Sequence, residues 1–365
     1  TRVVTPGTLV EPGLLPGDAN NYLACVVVEL DGESSDLKTG ISGKAGIAYV
    51  DITTGEFAVT ELAGSDIQGR VRAELVRLHP AGILLPDTLH FENQLHGHLT
   101  AWPAWRFEFG RCQEELLKHF SVGSLDGFGL HGLKQAIRTS GAILQYLAET
   151  QQAALNLLTS LSTYHQSEYM ILDAATRRNL ELTETMRGNS EKASLLGVLD
   201  HSVTPMGKRL IRQWVNKPLL NLEEVLKRQA GVREFIENGL LRTELRAELK
   251  PLGDLERLVN RILAGSAQPR DLVSLRSILS KLPAIKTLFS GNPTALQEIL
   301  TGFYLCEQEK DFLEQSLSDD PPATLQNIGV IRSGFSAELD GVIERTRHAR
   351  EWIANLEAIE RERTG

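Results

Sequence analysis

Three carboxylates fall where a metal-dependent hydrolase would need them. Asp51 ends an apolar strand pattern just before Thr53-Thr54-Gly55, Glu74 lies in the helical pattern that follows, and Asp87 comes after the next short strand pattern. Acids gathered in this way can hold two divalent ions that clamp the attacking and leaving oxygens of a phosphodiester. The plainer reading is that Asp51 caps a turn while Glu74 and Asp87 are solvated. We prefer it, because carboxylates at strand ends are common.

A second set is basic. Lys208, Arg209, Arg212 and Lys217 cluster on a helical pattern that also carries Leu210, Ile211 and Trp214. Such a face suits phosphate or an acidic neighbouring helix, that is, a DNA or interdomain contact. The preferred alternative is a core helix that buries Trp214 as an anchor and solvates its basic side. Asp173 and Arg177 stand four apart with Arg178 adjacent, a spacing that pairs opposite charges along a helix surface.

Other chemistry is sought and mostly not found. His79, His90, His96, His98 and His119 crowd one stretch. In an extended chain, however, His96-Gly97-His98 would point its rings to opposite sides, so surface histidines are expected. Residues 40–46 (GISGKAG) have the composition of a phosphate loop without its spacing. Cys25, Cys112 and Cys306 show neither a C-x-x-C nor a Cys/His cluster, so reduced thiols are expected and no zinc site or disulfide framework. The net charge of -9 argues against a strong nucleic-acid grip by the bulk of the chain. There is no signal-peptide pattern and no long apolar run.

The elements that must position these groups change character along the chain. Residues 21–30, 46–51 and 55–62 read as strands, the last two joined as a hairpin through Thr-Thr-Gly, and residues 32–43 as a loop. From Asp66 the apolar residues Ile67, Val71, Leu75 and Leu78 recur at helical spacing until His79-Pro80. Residues 82–85 read as a strand, Pro86-Asp87 as the entry to another helix, residues 105–109 as a last strand, and residues 111–120 as an amphipathic helix. A meander followed by alternating helices and strands predicts a mixed α/β domain. Beyond Gly129 little strand signal remains. Helices are expected over residues 133–158, 173–182, 193–200, 208–215, 222–238, 255–263 and 269–282, with prolines between them. Residues 337–363 lack proline and are densely charged, which predicts one long helix.

Several blocks, in order, carry a resemblance. Residues 172–182 (LDAATRRNLEL), 204–210 (TPMGKRL), Trp214, Pro218-Leu219, 254–257 (DLER) and 269–272 (PRDL) resemble the lever domain of the MutS family of mismatch-recognition ATPases. Upstream, residues 4–8 (VTPGT), 21–23 (NYL) and 49–57 (YVDITTGEF) resemble that family's connector domain. Residues 334–340 (GFSAELD) and 361–365 (RERTG) resemble the long helix leading to its clamp. Asp51 before Thr-Thr-Gly is also similar to the acidic strand of ribonuclease-H-like nucleases, and Asp51, Glu74 and Asp87 would be the metal-binding set of such an enzyme.

The resemblance implies a fold class of α/β plus all-α. It divides into a ribonuclease-H-like connector over residues 1–122, a helical lever over 123–336, and a long helix over 337–365. It further implies a non-catalytic segment of a larger protein, with no catalytic, cofactor or metal residue of its own. The ATP and Mg sites would lie in an ATPase domain outside this chain. The implied partners are mismatched duplex DNA, MutL, and a second copy in the full-length protein, in the cytoplasm at the nucleoid and without a membrane.

Overall fold

The structure is a computed structural model that describes residues 6–7, 17–31, 41–89, 96–188, 190–290 and 296–364. Residues 32–40 of the expected loop, His90 and most of the stretch matching VTPGT lie outside the described residues. The chain divides into two units, Thr1–Ser266 with Pro293–Leu296, and Ala267–Asn292 with Gln297–Gly365.

In the first unit, apolar alternation produces the three-stranded meander β1 (Leu23–Leu30), β2 (Gly43–Asp51) and β3 (Glu56–Gly64), antiparallel throughout. Helix α1 (Ile67–Leu78) crosses back to β4 (Gly82–Pro86), which pairs parallel with β1. β5 (His98–Trp102) extends the sheet in parallel beyond β4. The sheet order is β5-β4-β1-β2-β3-β6, where β6 is the two-residue strand Ser162–Thr163 beside β3. The last long strand is therefore His98–Trp102. Residues 105–109 do not form it, because Pro103 starts a 3-10 turn over Ala104–Phe107 that runs into α2 (Phe109–Phe120).

Alternation places apolar residues on both faces of β1 and β2, so both faces need cover. Leu23, Cys25, Val27, Ala48 and Val50 face α2 and α3 (Lys134–Thr150), while Ala24, Val26, Ile47 and Tyr49 face α1. The presence of α3 in this core corrects the expected boundary at residue 122: the packing runs on to Leu158 and Leu161. Two features tie α3 down. The Glu61 carboxylate on β3 accepts from the backbone N–H groups of Gln135 and Ala136 (2.7 and 3.3 Å), capping the helix from a distance. Gly46 on β2 lets the α3 backbone approach so closely that a Cβ there would stand 2.1 Å from the Gln135 carbonyl oxygen. Helix α3 stops at Gln151, and the short α4 (Gln152–Leu155) follows, so the expected span 133–158 is two helices.

Beyond β6 the elements are helical: α5 (Ala174–Asn179), α6 (Leu195–Leu199), α7 (Pro205–Asn216), α8 (Leu222–Glu237), α9 (Gly239–Leu249) and α10 (Leu255–Leu263). Side-chain oxygens of Asp173, Ser194, Thr204, Asn221 and Asp254 cap five of them. In the second unit, α11 (Pro269–Leu288) continues through Pro283, where the sequence suggests a stop, and packs Leu279 against Leu313 of α13 (Glu307–Ser316) and Leu317. The short α12 (Gln297–Thr301) lies between them in sequence, and α14 (Ala337–Thr364) is an unbroken 28-residue helix, roughly 40 Å long at 1.5 Å per residue.

Candidate functional site

The densest polar cluster lies inside the first unit, where the end of α7 meets the sheet. On α1 the apolar stripe faces the sheet, yet Glu74 is equally buried. Its carboxylate pairs with Arg77 and accepts from the Tyr164 hydroxyl at 2.5 Å. Burial pushes the Glu74 carboxyl up, but the neighbouring Arg77 guanidinium more than offsets this and holds it below its ordinary range. Tyr164 is placed here by β6, through its N–H to the Val59 carbonyl.

Lys217 enters from the other side. It follows α7, and the chain just beyond it is clasped to residues 168–170. The Met170 N–H donates to the Pro218 carbonyl (2.8 Å), the Leu220 N–H donates to that of Glu168 (3.2 Å), and Tyr169 bridges Leu219. This clasp sets the Lys217 ammonium 4.3 Å from the Tyr164 ring centroid, 5.3 Å from Tyr169 and 5.9 Å from Tyr49. Aromatic faces attract a cation. Even so, burial, and after it the like charge of Arg77, lower its pKa to about 8.

A carboxylate layer closes the cluster at the β2–β3 turn. Glu56 accepts from the Tyr22 hydroxyl (2.9 Å), the Tyr49 hydroxyl (3.2 Å) and the Gln213 amide of α7 (3.4 Å). Burial raises its pKa, and the Tyr22 hydrogen bond opposes the rise. Asp51 accepts from the Asn21 N–H and from the N–H and hydroxyl of Thr53.

Two further contacts grip the same end of the sheet. Arg209 is 3% exposed and forks onto Asp254 (2.6 and 2.7 Å), reaches Glu256 (2.6 Å) and donates to the Gly17 carbonyl. Burial works against its charge, but the two carboxylates hold its pKa above the usual arginine range. Arg257 of α10 donates to the Ala19 carbonyl, and Asn260 stands against Gly55 at φ +75 in the β2–β3 turn. Helices α7 and α10 therefore hold both the strand-leading segment and the hairpin tip.

These placements correct several expectations. The basic cluster does not form one face. Arg209 and Lys217 turn inward, Arg212 pairs with Glu191 at 2.5 Å, and Lys208 is half-buried. Trp214 is 36% exposed rather than a buried anchor, with the Arg228 guanidinium 4.0 Å from its ring centroid. Asp173 spends its carboxylate on the α5 N-cap, accepting from the Thr176 N–H and hydroxyl, so it does not pair with Arg177. Arg177 instead donates to the backbone and side-chain oxygens of Asn216 at the end of α7, and Arg178 is exposed. Of the three acids weighed as a metal set, Asp51 caps its turn as the preferred reading has it, Glu74 is buried against Arg77 rather than solvated, and the exposed Asp87 accepts from the Ala104 N–H. Among the described residues no group of three His, Cys, Asp or Glu could hold a metal ion, which removes the basis for a nuclease centre. His79 and His96 stack at 5.1 Å, and His119 is half-buried and donates to the Leu158 carbonyl. Cys25 and Cys112 are buried, Cys306 is exposed, and none forms a disulfide.

Sequence reasoning missed Tyr22, Tyr49, Tyr164, Tyr169 and Glu56. Tyr49 and Glu56 were visible as members of strand patterns and of the resembling block 49–57, with no role attached, and the signal that joins them is a sheet register that local patterns do not give.

Comparison with known proteins fits this division. Residues 21–159 match the model described as MutS domain II, and residues 175–363 match MutS domain III. The chain is 39% identical over 373 residues to the DNA mismatch repair protein MutS of Symbiobacterium thermophilum, covering 100% of this chain and 41% of that protein. It is 37% identical over 428 residues to that of Chloroflexus aurantiacus (100% and 43%), and 39% identical over 368 residues to that of Dehalococcoides mccartyi (100% and 41%). The chain thus spans less than half the length of these curated relatives, and among the described residues no helix is long and apolar enough to cross a membrane. A sheet matched by the one model and helices matched by the other, locked together through Lys217 and Arg209, place this chain in the MutS family, whose domains II and III it carries.

Proposed function

We propose that this chain is the connector and first lever segment of a mismatch-repair ATPase, non-catalytic in itself, and that it couples nucleotide state to DNA clamping and mismatch reading. The observation that supports this best is the buried joint in which Lys217, at the end of α7, is boxed by Tyr49 of β2, Tyr164 just after β6 and Tyr169 of the segment clasped beside it. Buried charges contribute little net stability, because desolvation offsets attraction. They do fix geometry, since a slipped arrangement would leave a charge unpaired. A joint of that kind keeps lever and connector in register, as a transmitting element requires.

The rest of the assignment follows from family membership. ATP and Mg would bind in an ATPase domain outside this chain, and mispaired duplex DNA would be read outside it too. MutL and a second copy of the full-length protein would be the other partners, in the cytoplasm at the nucleoid. The sheet order, with an antiparallel meander extended by parallel strands, is consistent with a ribonuclease-H-like connector. We place the connector's end at β6 rather than at residue 122. The lever runs from there to about the start of α14, and α14 is the strut toward the clamp.

The test is Lys217→Glu in the full-length protein, which sets a like charge against Glu74 and Glu56. Allosteric couplings of about 1–3 kcal/mol correspond to about 5–150-fold effects. ATP-driven release from mismatched DNA should therefore slow about tenfold or more while the affinity for the mismatch stays within about threefold. Normal release by a folded Lys217→Glu protein would overturn the coupling role.

A further inference from the structure

Beside the joint lies a separate cleft of about 470 Å³, walled by α1 on one side and by α5 and the turn after it on the other. Its charged lining is one-sided. Arg72, Arg177 and Arg178 face it with the imidazoles of His79 and His96, against the single carboxylate of Glu184. This is unusual in a chain of net charge -9. We propose that this cleft binds a compact phosphate-bearing ligand, of the di- or triphosphate class, through the guanidiniums of Arg177 and Arg178.

Three observations favour that chemistry. Planar guanidiniums match phosphate oxygens two at a time, which is why arginine rather than lysine lines such sites. Arg177 donates to the neutral oxygens of Asn216, and its buried Nε has no hydrogen-bond partner among the described residues. The carboxylate that acts on it from a distance, Glu74, is already paired with Arg77. A bound anion would supply the counter-charge. The His79–His96 stack, 5.1 Å between centroids and 29° between planes, adds a flat wall bearing N–H donors.

Size and surroundings favour a compact ligand over a nucleic-acid strand. A cavity of this volume lies in the range that holds one small organic molecule. A strand needs a continuing track of cations. Three cations of α7 and its end, Arg209, Arg212 and Lys217, are turned inward or paired to acids and offer no such track.

Calorimetric titration of sodium pyrophosphate into this chain at low salt tests the site. One site per chain is expected, with a dissociation constant on the order of 0.1 mM. Arg178→Glu, at an exposed position, should weaken binding about tenfold or more, and Arg178→Gln and His96→Ala several-fold. Arg233→Glu, the same charge change on exposed α8 surface, should leave the affinity within about twofold. No binding up to roughly 10 mM pyrophosphate would overturn the proposal, as would equal weakening by Arg233→Glu. A short single-stranded oligonucleotide is the second probe. Oligonucleotide binding that survives Arg178→Glu, without pyrophosphate binding, would place phosphate recognition elsewhere and also overturn it.

Discussion

The Lys217 joint makes a quantitative demand on stability. Its ammonium titrates at 10.5 in water and at about 8 in the folded chain, because burial, and after it the like charge of Arg77, outweigh the nearby carboxylates. At about 1.36 kcal/mol per tenfold change in proton affinity, keeping the charge there costs the fold roughly 3 kcal/mol near neutral pH. The sign follows from proton counting. Below about pH 8 both states hold the proton and the cost is fully present; between about pH 8 and 10.5 the unfolded chain holds a proton that the folded chain has released, so stability rises with pH. Tyr22, Tyr49 and Tyr164 titrate well above the usual tyrosine range, chiefly through burial, so ionisation in the unfolded chain opposes the gain at higher pH. Burial also holds the Cys25 and Cys112 thiols above their ordinary range, so their ionisation in the unfolded chain opposes the gain from about pH 8 upward. The Lys217 contribution is therefore the difference between wild type and Lys217→Met, which should change by roughly 2 kcal/mol between about pH 7 and 9.5. Urea unfolding at stepped pH, read as the midpoint of the transition that includes the sheet, measures it. Lys217→Met, similar in length and uncharged, should be the more stable protein at pH 7, with an advantage over wild type that shrinks by roughly 2 kcal/mol by pH 9.5. A difference between wild type and Lys217→Met that stays constant across this range, or a Met variant less stable at pH 7, would refute the reasoning.

Two further substitutions probe the grip of the helices. Arg209→Ala strips the partner from Asp254, whose pKa is held below its usual range because hydrogen bonds and charge from Arg209 outweigh its burial. The loss should be about 3–5 kcal/mol by thermal or urea unfolding, as for a buried pair with one member removed. A cost below about 1 kcal/mol would show the pair to be solvated. Trp214→Ala should cost only about 1 kcal/mol, because the ring is half-open to solvent and its main contact is the Arg228 guanidinium. A loss of about 3 kcal/mol or more would mean that the ring anchors a core after all.

The sequence was most legible where the signal is local. The meander follows from the apolar runs of residues 21–30, 46–51 and 55–62, and α1 from the stripe Ile67, Val71, Leu75 and Leu78, which the structure buries. The α10 span is the same in pattern and structure, because Asp254 marks its start and the stripe inside it is complete. Legibility failed where the deciding partner is remote. Helix α3 reads as the first lever helix because its sequence is simply helical. What assigns it to the sheet is Glu61, more than seventy positions earlier, capping its first turn, and Gly46 admitting its backbone. The strand β6 is two residues long and carries no periodicity at all. Trp214 was misjudged because a tryptophan on an amphipathic helix implies a core, and only the structure shows what faces it.

The candidate site failed to announce itself for a related reason. Its cations were read as one outward face because Lys208, Arg209, Arg212 and Lys217 are close in sequence. Helical spacing, however, sends Arg209 toward Asp254 and Arg212 toward Glu191, and the chain turns at Lys217. A polar residue is placed inward only when acids or rings arrive to receive it. Here those come from β2, β3, α1, β6 and α10. A basic cluster that the structure divides among five elements is poorly arranged to grip a phosphate strand. It is well arranged to report movement, because displacing α7 by one helical turn, about 5.4 Å, would separate Lys217 from its rings and Arg209 from its carboxylates together. The joint is thus favoured in one register, which is the discreteness that the coupling role proposed above requires.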